Sequence, residues 1–330
     1  MKKGLTILAV LLYLTSCKDA KDTFVLSSSV GKSNQLLVVT EASDWNSEVG
    51  ENLRTFLGKL VIGLPQPETT FNVTQIAPKG FGSMMNKYRN ILIVQKAEKE
   101  SFVVKNDFYA RPQTIIYVTA KDKEALNAKL KKHKKEIVRI FRDSDIKQVQ
   151  ERFNNKRLDD SKYKTLEKIG LSITIPSDYR TVDDTGDFLW LRQRLMSGIT
   201  QGDGVSNILV YSVPIAEEFD LDVNNNIIVN RNVIGEKYIP GSKEGMFMIT
   251  EAAFVPQTKE TVINGKQAFE TRGKWEVKND FMAGPFVNYA IIDQKNDRLL
   301  VVEGFTYAPS VNKREFLFEL EAIAKSLVIN

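Results

Sequence analysis

Residues 121–153 have the sequence KDKEALNAKLKKHKKEIVRIFRDSDIKQVQERF, and the fold of the chain can be worked out from this stretch. Its large apolar residues recur mostly at helical spacing, so they share one face of a helix, while the other positions are largely charged. The pattern predicts a long amphipathic helix from Lys121 to Phe153, with a candidate break at Asp143-Ser144-Asp145. The predicted buried stripe consists of Leu126, Leu130, Ile137, Phe141, Val149 and Phe153.

Apolar runs upstream of this helix predict strands of a sheet that packs against it. Three of the runs are continuous and indicate buried strands, and one alternates as a strand does when a single face is buried. The order β-α-β-β-β-α indicates an α+β sandwich with its helices on one face, over residues 34–158. The predicted elements are strands at 35–40, 71–76, 90–95 and 114–119 and a helix at 45–59.

A polar stretch at 154–162 has no apolar stripe and predicts a boundary before a second α+β domain at 165–330. In both halves we expect a mainly antiparallel sheet packed with helices. Asn312 and Glu315 have the spacing of a capping box at the start of the last helix. The predicted elements are strands at 170–179, 188–194, 206–213, 246–254, 266–276, 286–293 and 299–307 and helices at 227–238 and 313–327. Their order resembles, in topology only, the fold of the photosystem II extrinsic protein PsbP.

The N-terminal residues have the pattern of a bacterial lipoprotein signal. Lysines at 2 and 3 precede an apolar run at 5–14, which suits a signal peptide and is too short to span a bilayer. The Leu-Thr-Ser-Cys sequence at 14–17 resembles the lipobox of that class, in which the cysteine thiol receives a diacylglycerol, the chain is cut before it, and the new amine is acylated, for example with palmitate. We therefore expect residues 1–16 to be the signal peptide, Cys17 to be lipidated, and residues 17–33 to form a tether.

Cys17 is the only cysteine and His133 the only histidine among the 330 residues. A lipidated Cys17 leaves no thiol for a disulfide, a zinc site or nucleophilic catalysis. His133 lies beside the buried helix stripe among lysines, so we expect it to pack and not to catalyse. The net charge of +5 gives no support for nucleic-acid binding, and no phosphate-loop, dinucleotide or nucleophile-elbow motif is present. We expect no cofactor, no metal site and no catalytic residues.

Residues 231–242 have the sequence RNVIGEKYIPGS and precede a methionine-rich strand. With the lipobox and the paired α+β halves, this stretch makes the chain resemble a family of Bacteroidota lipoproteins classed as a domain of unknown function. The resemblance implies an envelope lipoprotein and supplies no catalytic residues. A Pro-Gly pair after a polar helix predicts a shaped, exposed turn, which serves either as a functional surface or as a structural cap on the second sheet. The candidate surface consists of Arg231, Lys237, Tyr238, Pro240 and Gly241.

The sequence favours a membrane-anchored binding or scaffolding protein of the cell envelope over an enzyme. We expect its lipid to hold it in the outer membrane, at the periplasmic face or the cell surface, with an envelope protein or a glycan as partner. Two alternatives stay open: a glycan hydrolase, which needs paired carboxylates across a cleft, and a ligand-carrying lipoprotein, which needs a large apolar cavity. The basic residues of the long helix, including Arg139 and Arg142, form either an anion-binding surface or an ordinary solvated face.

Overall fold

The computed structural model describes residues 25–195, 204–217, 219–309 and 311–329, so Cys17 and the signal segment lie outside the described residues. No helix in these ranges combines the length and the apolar character needed to cross a bilayer. The elements of the first half are β1 (Ser27–Ser28), β2 (Gln35–Val39), α1 (Ala42–Trp45), α2 (Glu48–Leu57), β3 (Asn72–Ile76), β4 (Asn90–Lys96), β5 (Ser101–Asn106), β6 (Ala110–Arg111), β7 (Thr114–Ala120) and α3 (Lys123–Asn154).

The first sheet has the strand order β3–β2–β4–β7–β5. β2 is parallel to both β3 and β4, and β4 is parallel to β7, whereas β5 pairs with β7 in the antiparallel sense. The expected α+β class is confirmed, but the expectation of a mainly antiparallel sheet is wrong for this half. Continuous apolar runs such as 36–39 and 91–94 were the sequence signal for parallel strands, because strands buried on both faces are typical of parallel sheets.

The helices of the first half cover one face of this sheet, as predicted. Leu36, Leu92 and Ile116 point to that face, where they pack against α2 and α3. Their neighbours in the strands, such as Leu37 and Ile91, point to the other face, where aromatic and other large side chains from neighbouring strands and from irregular segments pack against them. These covering side chains are Ile76, Phe81, Met85, Tyr88, Tyr109 and Tyr117.

α3 is a 32-residue helix that begins at Lys123, two residues after the predicted start, and continues through residues 143–145 without a break. Asp122 caps it by accepting a hydrogen bond from the backbone N–H of Ala125. The predicted stripe is buried, but it is shared between two cores. Its first part, up to Phe141, packs on the first sheet, whereas Val149 and Phe153 pack in the core of the second half. α3 therefore connects the two cores physically.

The second half is built around a long antiparallel sheet with the order β12–β14–β15–β16–β11–β10–β9, and β13 pairs with β14. α6 packs on one face of this sheet and α5 on the other. The elements are α4 (Lys164–Ile169), β8 (Leu171–Ser172), β9 (Arg180–Asp184), β10 (Phe188–Arg194), β11 (Val205–Pro214), α5 (Val223–Tyr238), β12 (Met248–Thr250), β13 (Gln257–Ile263), β14 (Lys266–Val277), β15 (Ala283–Asp293), β16 (Arg298–Tyr307), α6 (Arg314–Ala324) and β17 (Val328–Ile329).

The predicted strand at 170–179 is present only as the two-residue strand β8, paired with β17. Its alternation was a real burial signal, because Leu171, Ile173 and Ile175 all lie in the core beneath α6. The sequence missed β9 and β13, which have largely exposed side chains and therefore no hydrophobic pattern. Burial and strand pairing are thus separate properties in this half.

The two halves contact each other through α3, α6 and the loop before β3. Glu68 of that loop accepts hydrogen bonds from the backbone N–H groups of Lys313 and Arg314 at the start of α6, at 2.7 and 3.2 Å. The predicted capping box is wrong, because Asn312 makes no cap and Glu315 pairs with the Arg314 guanidinium. The division into domains at 34–158 and 165–330 stays a prediction.

Candidate functional site

A cleft of about 390 Å³ opens where α3 passes between the two sheets. α3 lines it with residues 135–143, and the loop after α2 adds the apolar residues 60–62. The hairpin of β13 and β14 and the helix α6 supply the remaining lining side chains. Its volume lies within the usual range for small-molecule sites, so the junction of the two halves offers a concave surface of the size that a small ligand needs.

Positive charge dominates the lining of this cleft. Seven of its side chains are basic and three are acidic, an excess of four positive charges. Charges of one sign in a concave site focus the electric field and attract ligands of the opposite sign. The basic side chains are Lys59, Lys135, Arg139, Arg142, Lys259, Arg272 and Lys325, and the acidic ones are Asp143, Glu270 and Glu321.

The carboxylate of Glu321 is buried in the wall of the cleft. Its Oε2 accepts hydrogen bonds from Arg142 Nη2 at 2.5 Å and from Arg272 Nη2 at 2.6 Å. Its Oε1 accepts from Lys325 Nζ at 2.7 Å, one turn further along α6. Because Arg142 comes from α3 and Arg272 from β14, this one buried carboxylate holds three elements together through charge-assisted hydrogen bonds.

Glu270 is the second carboxylate of the network. Its Oε1 accepts from Arg272 Nε at 2.6 Å and pairs with Lys259 Nζ at 3.0 Å. Its Oε2 accepts from the hydroxyl of Tyr289 at 3.0 Å. Arg272 therefore lies between the two carboxylates and orients both of them.

Both carboxylates are ionised at neutral pH. Burial raises the pKa of Glu270, but the opposing charges of Arg272 and Lys259 outweigh it and bring the pKa down to about 2. Burial likewise opposes ionisation of Glu321, yet Arg142, Lys325 and Arg272 hold its pKa well below the usual range. Neither group can serve as a general acid, because that role requires a proton at working pH.

The rim of the cleft carries positive charge that the network does not neutralise. Lys59 and Lys135 are exposed and form no ion pair with any described residue. Arg139 is also exposed and meets Asp143 only at 3.5 Å. Lys59 and Lys135 can therefore turn towards a bound anion without breaking an ion pair, and Arg139 would give up only its contact with Asp143. The central network is thus a fixed base, and the rim supplies adaptable cations.

The described residues contain no group of three or more His, Cys, Asp or Glu side chains placed to hold a metal ion. The donors of the cleft are mainly nitrogen cations, which repel metal ions and attract oxyanions. What the cleft can do chemically is bind negative charge in a partly desolvated setting.

Residues 158–326, just over half of the chain, match the model of a family described as a domain of unknown function, DUF4837. The chain belongs to this family. Residues 29–154 match a second domain of unknown function, DUF8532. No curated protein matches the chain. The two matched regions meet near the C-terminal end of α3. The cleft is lined by residues of both regions, because its lining residues lie at 59–143 and at 257–325.

Distant solved structures include LpqN of Mycobacterium tuberculosis, a protein involved in cell envelope biogenesis. It is 9% identical, with a TM-score of 0.30, over 48% of this chain and 83% of that one. The Ran-binding protein Mog1p of Saccharomyces cerevisiae is 11% identical, with a TM-score of 0.30, over 48% of this chain and 90% of that one. Human StarD13, a lipid transfer domain, is 9% identical, with a TM-score of 0.24, over 45% and 88%. At such TM-scores these likenesses carry no argument.

Arg231, which the DUF4837 region contributes from α5, lies in the interior and not on the candidate surface. It is 1% exposed, and its guanidinium pairs with Glu303 at 2.9 Å, donates to Thr250 at 2.9 Å and lies 4.0 Å from the Phe286 ring centroid. Its placement corrects the prediction for this residue. The bond network fixes α5 to the sheet, which is a structural role.

The rest of the candidate surface lies on the α5 side of the second sheet, opposite to the cleft. Tyr238 stacks on Phe188 with ring centroids 4.1 Å apart, and Lys237 lies 4.8 Å above the Tyr238 ring. A Cβ at Gly241 would come within 2.6 Å of the Cβ of Met246, so glycine is needed there for close packing. Pro240 forms an isolated bridge with Phe247 beside it. A functional role for these four residues stays a prediction.

The lysine-rich helix contributes to the cleft only in part. Its residues 135, 139 and 142 line the cleft, whereas Lys131 and Lys134 are exposed elsewhere on α3. His133 stacks on Phe102 at 4.1 Å, and its Nδ1 lies 2.8 Å from a carboxylate oxygen of Glu136. The histidine packs at the edge of the first core and does not line the cleft.

Sequence analysis missed the acidic residues of the central network. Glu321 follows Leu320 on the buried face of α6, and Glu270 lies two residues from Ala268 on an inward-facing row of β14. For Glu321 the available signal was a charged residue on a mainly apolar face of α6, because buried charges need partners. The row of β14 that holds Glu270 is largely charged and gave no such signal. Lys325 lies one turn from Glu321, and Arg272 lies two residues from Glu270, whereas Arg142 comes from an element distant in sequence and had no local signature.

Proposed function

We propose that this protein is a lipid-anchored envelope protein of the Bacteroidota type that binds a small anionic ligand in the cleft between its two sheets. The lipobox at residues 14–17 supports the anchor and an outer-membrane address. The order of elements in the second half supports a PsbP-like topology. A glycan that carries carboxylate or phosphate groups suits the cleft by charge and size.

The observation that carries the proposal is the excess of four positive charges in a cleft whose acidic groups are already engaged. Arg142 and Arg272 are held in place by Glu321, so they meet a ligand without first losing side-chain freedom. Lys59 and Lys135 remain available at the rim. A site of this kind binds an anion through charge-assisted hydrogen bonds, and the binding weakens as salt is added.

The hydrolase alternative is not favoured at this cleft. A glycan hydrolase with two carboxylates keeps one of them protonated, through a raised pKa, to donate to the leaving oxygen. Glu270 and Glu321 have lowered pKa values because guanidinium groups surround them. The same charged lining is a poor match for the large apolar cavity of a ligand-carrying lipoprotein.

Calorimetric titration with trigalacturonate and with inositol hexakisphosphate tests the cleft. The double variant Lys59→Ala/Lys135→Ala should weaken binding of at least one probe about tenfold, because two charges near the ligand each contribute roughly 0.7 kcal/mol. The variant Lys131→Ala/Lys134→Ala is the matched control, since it removes two exposed charges of α3 outside the cleft lining. Equal losses in both variants, or no binding of either probe by the unmodified protein, would contradict the proposal.

The anchor is tested separately. Cys17→Ala should leave an uncut precursor that carries no diacylglycerol. After a site-specific protease has removed its signal, this protein should stay out of the detergent phase. Ser16→Ala keeps a small residue before the cysteine and should be processed normally. A Cys17→Ala protein of mature mass that still enters the detergent phase would refute the lipid anchor.

A further inference from the structure

We propose that the face around β1 and β6 is a second contact with the membrane, where phosphate groups of anionic phospholipids bind next to the lipid anchor. The occupant is the bilayer that holds the anchor. This inference goes beyond the cleft, and its distance argument rests on the proposed lipidation of Cys17.

The position of the anchor brings this face to the bilayer. Ser28 of β1 follows Cys17 by eleven residues, which span about 38 Å at most when fully extended. β1 pairs in parallel with β6, so that Ser28 lies opposite Arg111. The backbone N–H of Ser29 donates to the carbonyl of Arg111 at 3.0 Å. The described chain thus begins its path to the anchor beside β6, and that edge of the first half is tethered close to the surface.

The chemistry of this edge suits phosphate. A pocket of about 330 Å³ is lined by Ser28, Ser33, Arg89 and Arg111 among others. The Arg111 side chain is 77% exposed and meets Asp107 at 3.3 Å. Arg89 has Asp145 as its anionic neighbour at the long distance of 3.9 Å, and its Nε has no partner among the described residues. Guanidinium and hydroxyl donors around one small pocket are the groups that bind phosphate oxygens.

The neighbouring turn carries the features of an interfacial loop. Phe108, between β5 and β6, is 47% exposed, and the Lys105 ammonium lies 4.3 Å from its ring centroid. An aromatic side chain beside lysine and arginine is favoured at the headgroup level of a bilayer. Each basic side chain near an anionic surface contributes to attraction that falls off within a Debye length. We therefore treat phosphate binding at Arg111 and insertion of Phe108, three residues earlier, as one proposed contact of this turn with the bilayer.

Vesicle cosedimentation tests the contact without the anchor. The probe protein is the mature chain, residues 17–330, with Cys17→Ser, and the vesicles are phosphatidylethanolamine with or without phosphatidylglycerol. The chain should bind the vesicles that contain phosphatidylglycerol. Arg111→Glu should lower the partition coefficient about tenfold, since it replaces an attracted charge by a repelled one. Phe108→Ser should lower it about threefold. Both side chains are exposed, so the fold is retained, which circular dichroism verifies.

Two matched controls locate the contact. Lys295→Glu makes the same charge change in an exposed turn of the second half, and Phe281→Ser removes the fully exposed aromatic of the β14–β15 turn. Both should bind as the parent does, and so should Lys59→Ala/Lys135→Ala, which separates this contact from the cleft. The inference is overturned if the parent chain ignores phosphatidylglycerol, if Arg111→Glu binds normally, or if the two controls lose as much binding as the test variants.

Discussion

Asp145 carries a carboxylate into the interior from the last third of α3. Its Oδ2 accepts from the backbone N–H of Asn34 at 2.8 Å, and its Oδ1 accepts from the side-chain amide of Asn90 at 3.0 Å. Burial raises the pKa of this carboxyl to about 6, against the lowering effects of these hydrogen bonds and of Arg89 and Arg142. The folded protein thus binds this proton more tightly than the unfolded chain does.

The stability contributed by Asp145 is therefore present below about pH 4 and is lost as pH rises through 6. The shift corresponds to about 3 kcal/mol in the free energy of unfolding. Asp145→Asn should flatten the fall in stability between about pH 4 and 6.5, and at pH 7 it should be at least as stable as the parent. The introduced amide can donate to the Oδ1 of Asn90, which has no partner among the described residues. Urea unfolding across this pH range measures the effect.

Asp143→Asn is the control for this pH dependence, because Asp143 lies on the same helix with an exposed side chain. It should leave the pH profile unchanged. A steep profile that survives Asp145→Asn would mean that another group titrates in the interior.

Single residues were the hardest level to predict. Asp145 was expected to mark a helix break, since short acids favour helix ends. Instead, Asn34 before β2 and Asn90 at the start of β4 donate hydrogen bonds to its buried carboxylate. Arg231 was expected at the surface, and its partner Glu303 lies 72 residues away. Arg142 and Glu321 are 179 residues apart. Ion pairs of this range depend on the final packing, which no local pattern contains.

At the scale of elements, the apolar patterns predicted most of the helices and the central strands. α3, β14, β15 and β16 lie close to their predicted ranges, because α3 has a helical apolar stripe and the three strands are long, largely buried runs. Parallel pairing in the first sheet was missed because its continuous apolar runs were interpreted as burial alone and not as a sign of strand direction. The edge strand β13 was missed because its side chains face solvent on most positions.

α6 shows how an element can depend on a distant residue. Lys313 takes the N-cap position without a side-chain cap, and Glu68 of the first half accepts from the first backbone N–H groups instead. A carboxylate at this position also interacts favourably with the positive end of the helix dipole. Because α6 covers the core of the second sheet, its stability is coupled to the placement of the first half.

Glu68→Ala should lower the free energy of unfolding by about 2 kcal/mol, through the lost cap and the lost charge at a buried helix end. Glu68→Gln keeps one acceptor oxygen and should lose about half as much. Hydrogen exchange of the amides at residues 313–317 should accelerate in both variants. Glu98→Gln, which neutralises an exposed glutamate, is the control. If Glu68→Ala matched this control in stability, the cap would contribute nothing.

At the scale of the molecule, the two halves share structure that a simple linker would not provide. Val149 and Phe153 of α3 belong to the core of the second half, as does Leu64 from the loop after α2. The stretch between the halves is itself held, since the backbone N–H of Leu158 donates to Ile175 at 2.8 Å. The function we propose depends on this junction, because the cleft exists only while α3, α6 and the β13–β14 hairpin keep their positions.

We therefore expect both halves to unfold together in one transition. Trp45 reports on the first half, and Trp190 and Trp275 report on the second. Trp45→Phe keeps tryptophan reporters only in the second half, and Trp190→Phe/Trp275→Phe keeps one only in the first. In each variant, the urea midpoint from tryptophan fluorescence should coincide with the midpoint from circular dichroism of the same sample. Arg142→Ala breaks the ion pair between α3 and Glu321 of α6. If that network couples the two halves, this variant should separate the two midpoints. Arg139→Ala, at an exposed position one turn earlier, is the control and should leave them together. Two separate transitions in the unmodified background would mean that the shared core does not couple the halves and that the cleft can open without unfolding either sheet.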